Sequence, residues 1–157
     1  MGEVVEFAKR KGEVEIECCG VLQEYIDDMW PYVEKHLARG LDHSFGELDL
    51  NDIREGLDNR TMQLWVAIDM ESRDFVAALV TEIIEYPKIK ACRMIVVGGG
   101  HMKHWLQYQT ELMKWAKDIG CDRIEGLCRD GWTRTLEKYG YEKLYNLVAV
   151  DLHGEVH

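Results

Sequence analysis

Apolar positions along the chain change period several times, and each change marks an element. Residues 13–18 (Glu-Val-Glu-Ile-Glu-Cys) alternate charged and apolar side chains, as a half-exposed strand does. From Val21 the spacing becomes three or four. Val21/Leu22, Tyr25/Ile26, Met29, Val33 and Leu37 predict an amphipathic helix over 21–38, which Pro31 should kink or split and Gly40 should close. Asp49, with Asp52 three residues on, is placed to cap a short helix with the stripe Leu50, Ile53 and Leu57. Period two returns at Thr61, with Leu64, Val66 and Ile68 alternating against Gln63, Trp65 and Ala67. Glu71-Ser72-Arg73-Asp74 then turns the chain into Phe75–Ile84, which predicts a β-hairpin. Pro87 and the basic Lys88 and Lys90 lead into a strand over 91–97 that runs directly into Gly98-Gly99-Gly100. Trp105, Tyr108, Leu112, Trp115/Ala116 and Ile119 form a helical stripe that Gly120 should stop. A strand over 121–128, a short helix over 131–139 closed by Gly140, and a long final strand over 141–152 complete the reading. The order β, α, α, β, β, β, α, β, α, β implies an α/β (α+β) chain. Its sheet is mixed and mostly antiparallel, with helices on both faces and one parallel crossover after the glycines.

Composition narrows the class. With 157 residues, 46% of them hydrophobic and 31% charged, the chain can bury roughly two-thirds of its unfolded surface without a disulfide or metal staple, so disorder is excluded as its main state. No repeat, low-complexity tract or Pro/Gly/Ser linker interrupts it, and a single domain over 1–157 with a core at about 13–152 is expected. No apolar run approaches a membrane span, and Met1-Gly2-Glu3-Val4-Val5-Glu6 lacks the layout of a secretion signal, so a cytoplasmic protein is expected. The five cysteines, an odd number, should then remain thiols. The net charge of −10 opposes nucleic-acid binding, which needs clustered Lys and Arg. The acidity is also uneven. Residues 1–60 carry 7 basic and 15 acidic side chains, a balance of −8, against −2 for the remainder.

The candidate chemistry lies where the strand at 91–97 ends. A strand that opens through glycines into a helix gathers unpaired backbone N–H groups and the helix dipole on one spot, a device for binding anions. His101, Lys103 and His104 stand at the start of that helix, where cations oppose the dipole unless a phosphate compensates them. A glycine turn that only redirects the chain explains the same residues equally well. Other groupings are weaker. His101-x-x-His104 has no third ligand placed beside it, Cys18 and Cys19 point to opposite faces of a strand, and Cys92 has no histidine near it, so no metal site is expected. Trp30, Trp65, Trp105, Trp115 and Trp132 read as packing residues.

The element order, together with Trp115-Ala116-Lys117-Asp118-Ile119-Gly120-Cys121 before Asp122-Arg123-Ile124, resembles the helix-to-strand junction of the GNAT superfamily of acyl-CoA-dependent N-acetyltransferases. Leu136-Glu137-Lys138-Tyr139-Gly140-Tyr141 is similar to the family's last helix end. Val97-Gly98-Gly99, Met102-Lys103-x-Trp105 and Gly131-Trp132 further resemble GNAT-like proteins of tailed phages and prophages. The resemblance implies a V-shaped gap between the strands at 91–97 and 121–128 that takes the pantetheine of acetyl-CoA as an extra strand, with the pyrophosphate on 98–104. Ile95, Val96, Val97, Gly98, Gly99, Gly100, His101, Lys103 and His104 become the cofactor-binding set, with backbone N–H groups near Ile95 to Val97 holding the oxyanion. The chain departs from the family's Arg/Gln-x-x-Gly-x-Gly/Ala loop. Without gaps Gly100 takes the first loop position, and His101, Lys103 and Trp105 stand where glycines belong.

The family tyrosine that protonates the leaving thiolate falls at Leu136, leaving Tyr139 and Tyr141 as nearby substitutes. A thiolate with pKa of roughly 8.5 leaves readily in any case. The general base matters more, since holding an amine of pKa ~10.4 neutral at pH 7 costs about 4.6 kcal/mol. Glu82 and Glu85, on opposite faces of the strand before Pro87, are the candidates, each also readable as an exposed strand carboxylate. The resemblance places the acidic first helices on the acceptor side, so a cationic acceptor is expected. The partners implied are acetyl-CoA as co-substrate and a small amine or basic protein or peptide, with a homodimer allowed and nucleic acid, membrane and metal excluded. A catalytically degenerate GNAT-fold protein serving as a structural or binding module is the rival reading.

Overall fold

A computed structural model describes residues 15–100 and 109–154, and the chain divides at Glu125/Gly126 into two compact units. In the first unit the period-two segments become strands. They are β1 (Ile16–Val21), β2 (Met62–Asp69), β3 (Phe75–Glu85), β4 (Lys90–Gly99) and β5 (Arg123–Gly126), ordered β1-β2-β3-β4-β5 in one sheet. The first four are antiparallel neighbours. The Asp122 N–H donates to the Lys90 carbonyl and Glu125 pairs with Arg93, so β5 advances in step with β4 and the two run parallel. The β2–β3 hairpin closes as its turn residues predict. The Asp69 carboxylate accepts from the Glu71 and Ser72 N–H groups, and Arg73 takes a positive φ of 66°.

Two layers of helix cover the sheet. On one face α1 (Ile26–Leu41) and α2 (Leu50–Asp58) bury Val33, Leu37, Ile53 and Leu57 against Leu64, Val66, Val80 and Val96. Each side chain so buried stabilises the fold by about 1.5–3 kcal/mol. On the other face α3 (Thr110–Asp118) packs Leu112 and Ala116 on Leu79 and Cys92, with the rings of Trp65 and Trp115 meeting edge to face at 5.3 Å. The expected mixed sheet with helices on both faces is therefore the observed one. α2 begins with a reciprocal cap: the Asp52 N–H donates to Asp49 at 3.0 Å and the Asp49 N–H to Asp52 at 2.9 Å. α3 ends as its glycine predicts. Gly120 takes φ +88°, and the Cys121 N–H reaches back to the Ala116 carbonyl.

Four expectations are corrected. Pro31 does not split the first helix into two. A 3-10 turn at Gln23–Tyr25 precedes α1, which then runs unbroken through Pro31. Proline near a helix start removes a single intrahelical bond, which the buried face outweighs. Gly40 lies inside α1 and serves packing, since a Cβ there would come within 2.5 Å of the Val97 carbonyl oxygen. The long strand expected at 141–152 is not formed. In the second unit α4 (Asp130–Glu137) is followed by Gly140 at φ +91°, and residues 141–150 adopt neither helix nor strand. A strand needs a neighbour to exist, and periodicity says nothing of where that neighbour is. β5 is likewise half the length expected from 121–128.

Candidate functional site

The site begins where β4 loses its neighbour. The two parallel strands are stitched together over Lys90–Arg93, where the Lys90 N–H donates to the Asp122 carboxylate and the Lys90 ammonium donates to the Ile119 carbonyl at the end of α3. β4 continues through Met94 to Gly99, whereas β5 stops at Gly126, so the upper half of β4 has β3 alone beside it among the described residues. The pairing with β3 shifts at the same level. Thr81 faces Met94 and Val80 faces Val96, which leaves Ile95 as the extra residue of a β-bulge. Bulges re-aim the backbone and free a peptide group from the ladder. This one falls within Ile95–Val97, the stretch expected to hold an oxyanion.

The glycines that follow are committed to packing. A Cβ on Gly98 would lie 1.6 Å from the His36 carbonyl oxygen, and one on Gly99, at φ +123°, would lie 2.3 Å from that of Val76. The His36 ring, 7% exposed, donates its Nε2–H to the Phe75 carbonyl at 2.8 Å and holds α1 down on this corner of the sheet. No described residue crowds the Gly100 Cα, but its N–H is spent on the Val76 carbonyl at 2.8 Å. The three residues thus form the seat for α1 and the last rung of β3–β4. His101, Lys103 and His104, like Trp105 and Tyr108, lie outside the described residues.

Of the candidate bases, Glu82 shares the α1/α2 face with Val80 and stands opposite Arg93 on β4, half-buried. Glu85 is exposed, opposite Lys90, on the other face. Around Arg93 the structure assembles a cluster that was not foreseen. Glu125, its side chain 13% exposed, accepts from the Tyr86 hydroxyl at 2.8 Å, from Arg93 Nε at 2.9 Å and from Arg123 Nε at 3.1 Å. Arg93 also donates to the Tyr86 oxygen, and the Arg123 guanidinium lies 5.5 Å from the Tyr86 ring centre. Burial alone would raise the Glu125 carboxyl. The Tyr86 hydroxyl and the two guanidiniums outweigh it and hold the group below the ordinary carboxylate value. The available signal was Arg93 itself, a charge interrupting the apolar run of a central strand.

Tyr139 is half-buried in the second unit just beyond α4, where its N–H donates to the Leu136 carbonyl. Cys92 is ruled out as a nucleophile. It is fully buried under α3, and burial pushes its thiol up to about 11. Among the described residues no three His, Cys, Asp or Glu side chains form a metal-binding group, and no helix is long and apolar enough to cross a membrane. The acidic first third of the chain covers α1 and α2. Arg54, stacked 5.2 Å from the Trp30 ring centre, bridges the helices by pairing with Asp27 and Asp58. At the α1–α2 connection Phe45 is 90% exposed among Asp42, Glu47 and Asp49.

No protein-family model matches the chain, and no curated protein resembles it in sequence. Its fold has close counterparts. A predicted acetyltransferase from Clostridium acetobutylicum, solved with acetyl-CoA, superposes with a TM-score of 0.62 at 12% identity, over 91% of this chain and 100% of that one. An aminoglycoside acetyltransferase from an uncultured soil metagenomic sample, solved with trehalose, gives 0.61 at 10% identity over 87% and 96%. Glucosamine-6-phosphate N-acetyltransferase from Arabidopsis thaliana gives 0.57 at 14% identity over 88% and 99%. The architecture is that of the GNAT acetyltransferases.

Proposed function

We propose that the protein is an N-acetyltransferase that moves the acetyl group of acetyl-CoA onto a primary amine of a cationic acceptor by direct attack. One observation carries this reading: β4 outruns β5, with its bulge at Ile95 on the stretch that has β3 alone beside it among the described residues. A pantetheine laid along that open stretch finds peptide groups as a sixth strand would. In the reaction the amine nitrogen bonds to the thioester carbon, the oxyanion is held by backbone N–H groups of Ile95 to Val97, and the carbon–sulfur bond breaks to release CoA as thiolate. Glu82, on the half-buried side of β3, takes the amine proton, directly or through water, and Glu85 is the alternative. Tyr139 is the candidate donor to the thiolate. His101, Lys103 and His104 supply cationic partners for the pyrophosphate, with Gly100 as the hinge before them. Acidic residues on α1 and α2 draw in the cationic acceptor, and an aminoglycoside acetyltransferase solved with sisomicin shares the fold.

Calorimetry with acetyl-CoA and with CoA tests the proposal. Micromolar binding, lost in Lys103→Glu, is expected, and no heat at millimolar ligand overturns it. That outcome leaves the second reading, a catalytically degenerate structural or binding module. It is favoured by the packing duties of Gly98 and Gly99 and by the Gly100 N–H already spent on Val76.

A further inference from the structure

Glu82 is a carboxylate whose natural partner is engaged elsewhere. It stands directly opposite Arg93 in the β3–β4 ladder, and a cross-strand pair of opposite charges on one face ordinarily joins. The two do not pair. Glu82 is half-buried and makes no hydrogen bond or ion pair among the described residues, and its other ladder neighbour, Met62 on β2, is apolar. Arg93 is turned the opposite way, toward β5. Its Nε donates to a Glu125 carboxylate oxygen at 2.9 Å, and its Nη2 lies 2.7 Å from that same oxygen and donates to the Tyr86 oxygen at 2.8 Å. The Tyr86 hydroxyl donates to Glu125 in turn, and Arg123 fixes the other carboxylate oxygen at 3.1 Å. Glu82 also lies beside the open stretch of β4. The rung next to it joins Thr81 to Met94, and the bulge at Ile95 follows at once. A carboxylate with a guanidinium seated on it is held in its charged form and accepts a proton less readily.

We propose that Tyr86 and Glu125 act as a latch that keeps Arg93 off Glu82, so that Glu82 stays an unpaired carboxylate able to take the amine proton. This role rests on the reading of the protein as an N-acetyltransferase with Glu82 as its base. The proton leaves the amine nitrogen for a Glu82 oxygen as that nitrogen bonds to the thioester carbon, and the electron pair of the carbon–sulfur bond leaves with CoA. Tyr86, Arg93 and Glu125 touch no reacting atom and are positioning residues.

Glu125→Gln removes the charge that captures Arg93. In a crystal structure of this variant the guanidinium should lie on the Glu82 carboxylate. Its kcat for acetyl transfer to a polyamine should fall by about tenfold or more with KM for acetyl-CoA unchanged, since a general base acts in the transition state. Adding Arg93→Met should restore most of the lost kcat, whereas a cluster that only supports the fold would lose more with each partner removed. Should Glu125→Gln fail to fold, Tyr86→Phe with and without Arg93→Met makes the same comparison, with a smaller loss that the second substitution again removes. Arg93 staying on Tyr86 or moving into water in the variant structure, or a kcat that does not fall or that Arg93→Met lowers further, overturns the proposal. A wild type that transfers no acetyl group overturns the transferase reading instead, and the place of Arg93 in the variant structure still decides whether the latch exists.

Discussion

Gly98 and Gly100 stand two residues apart in what reads as one glycine run, yet they differ in what surrounds them. A methyl on Gly98 would overlap the His36 carbonyl, a backbone atom that cannot move without lifting α1, while a methyl on Gly100 meets nothing within 4 Å among the described residues. Gly98→Ala is therefore expected to cost about 3 kcal/mol or more in urea unfolding, and Gly100→Ala less than about 0.5 kcal/mol. Equal costs would show that α1 does not rest on Gly98 as described. The difference was invisible in the sequence, because a glycine required by a helix sixty residues earlier looks the same as one that frees a turn. Where the determinant is local, the residue scale was legible: Asp49 and Asp52 cap α2, and Gly120 stops α3, because both depend on atoms within a few residues.

At the scale of elements, period and type were legible and partnership was not. The hairpin, α1, α2 and β4 follow from their stripes, but the Tyr86–Arg93–Arg123–Glu125 cluster joins three separate segments, and no spacing reveals which charges will meet. Its energetics are testable through pH. The folded-state carboxyl of Glu125 is held below its unfolded value of roughly 4.3, so the stabilisation is fully present above that pH and disappears as pH falls through the folded value. Glu125→Gln should cost about 1–2 kcal/mol at neutral pH, a modest figure because Arg93 and Arg123 remain partly in water. The gap between wild type and variant, read from urea unfolding at neutral pH and again near pH 3, should narrow at the acid end. A gap of the same size at both would mean that the carboxylate charge is not what binds β5 to β4.

At the scale of the whole molecule, charge separates what composition alone blends together. The −10 total is concentrated in the first sixty residues, and Arg54 neutralises part of it by holding Asp27 and Asp58. Asp42, Glu47 and Asp49 remain around the exposed Phe45 at the α1–α2 connection. A field of one sign over one face acts on encounter more than on chemistry, and salt weakens it by shortening its reach. If this face receives a cationic acceptor, KM for a polyamine should rise several-fold as salt goes from about 0.01 to about 0.1 M, where the screening length falls from roughly 30 to 10 Å, while kcat holds. An acceptor with a single amine balanced by a carboxylate should show little change over the same range, since its net charge gives the field nothing to pull. Reversing Asp42 and Glu47 to lysine, which leaves the Asp49 cap of α2 in place, should reproduce the high-salt KM at low salt. A polyamine KM indifferent to both salt and charge reversal would reduce the acidic face to a solubilising surface and place acceptor selection elsewhere on the chain.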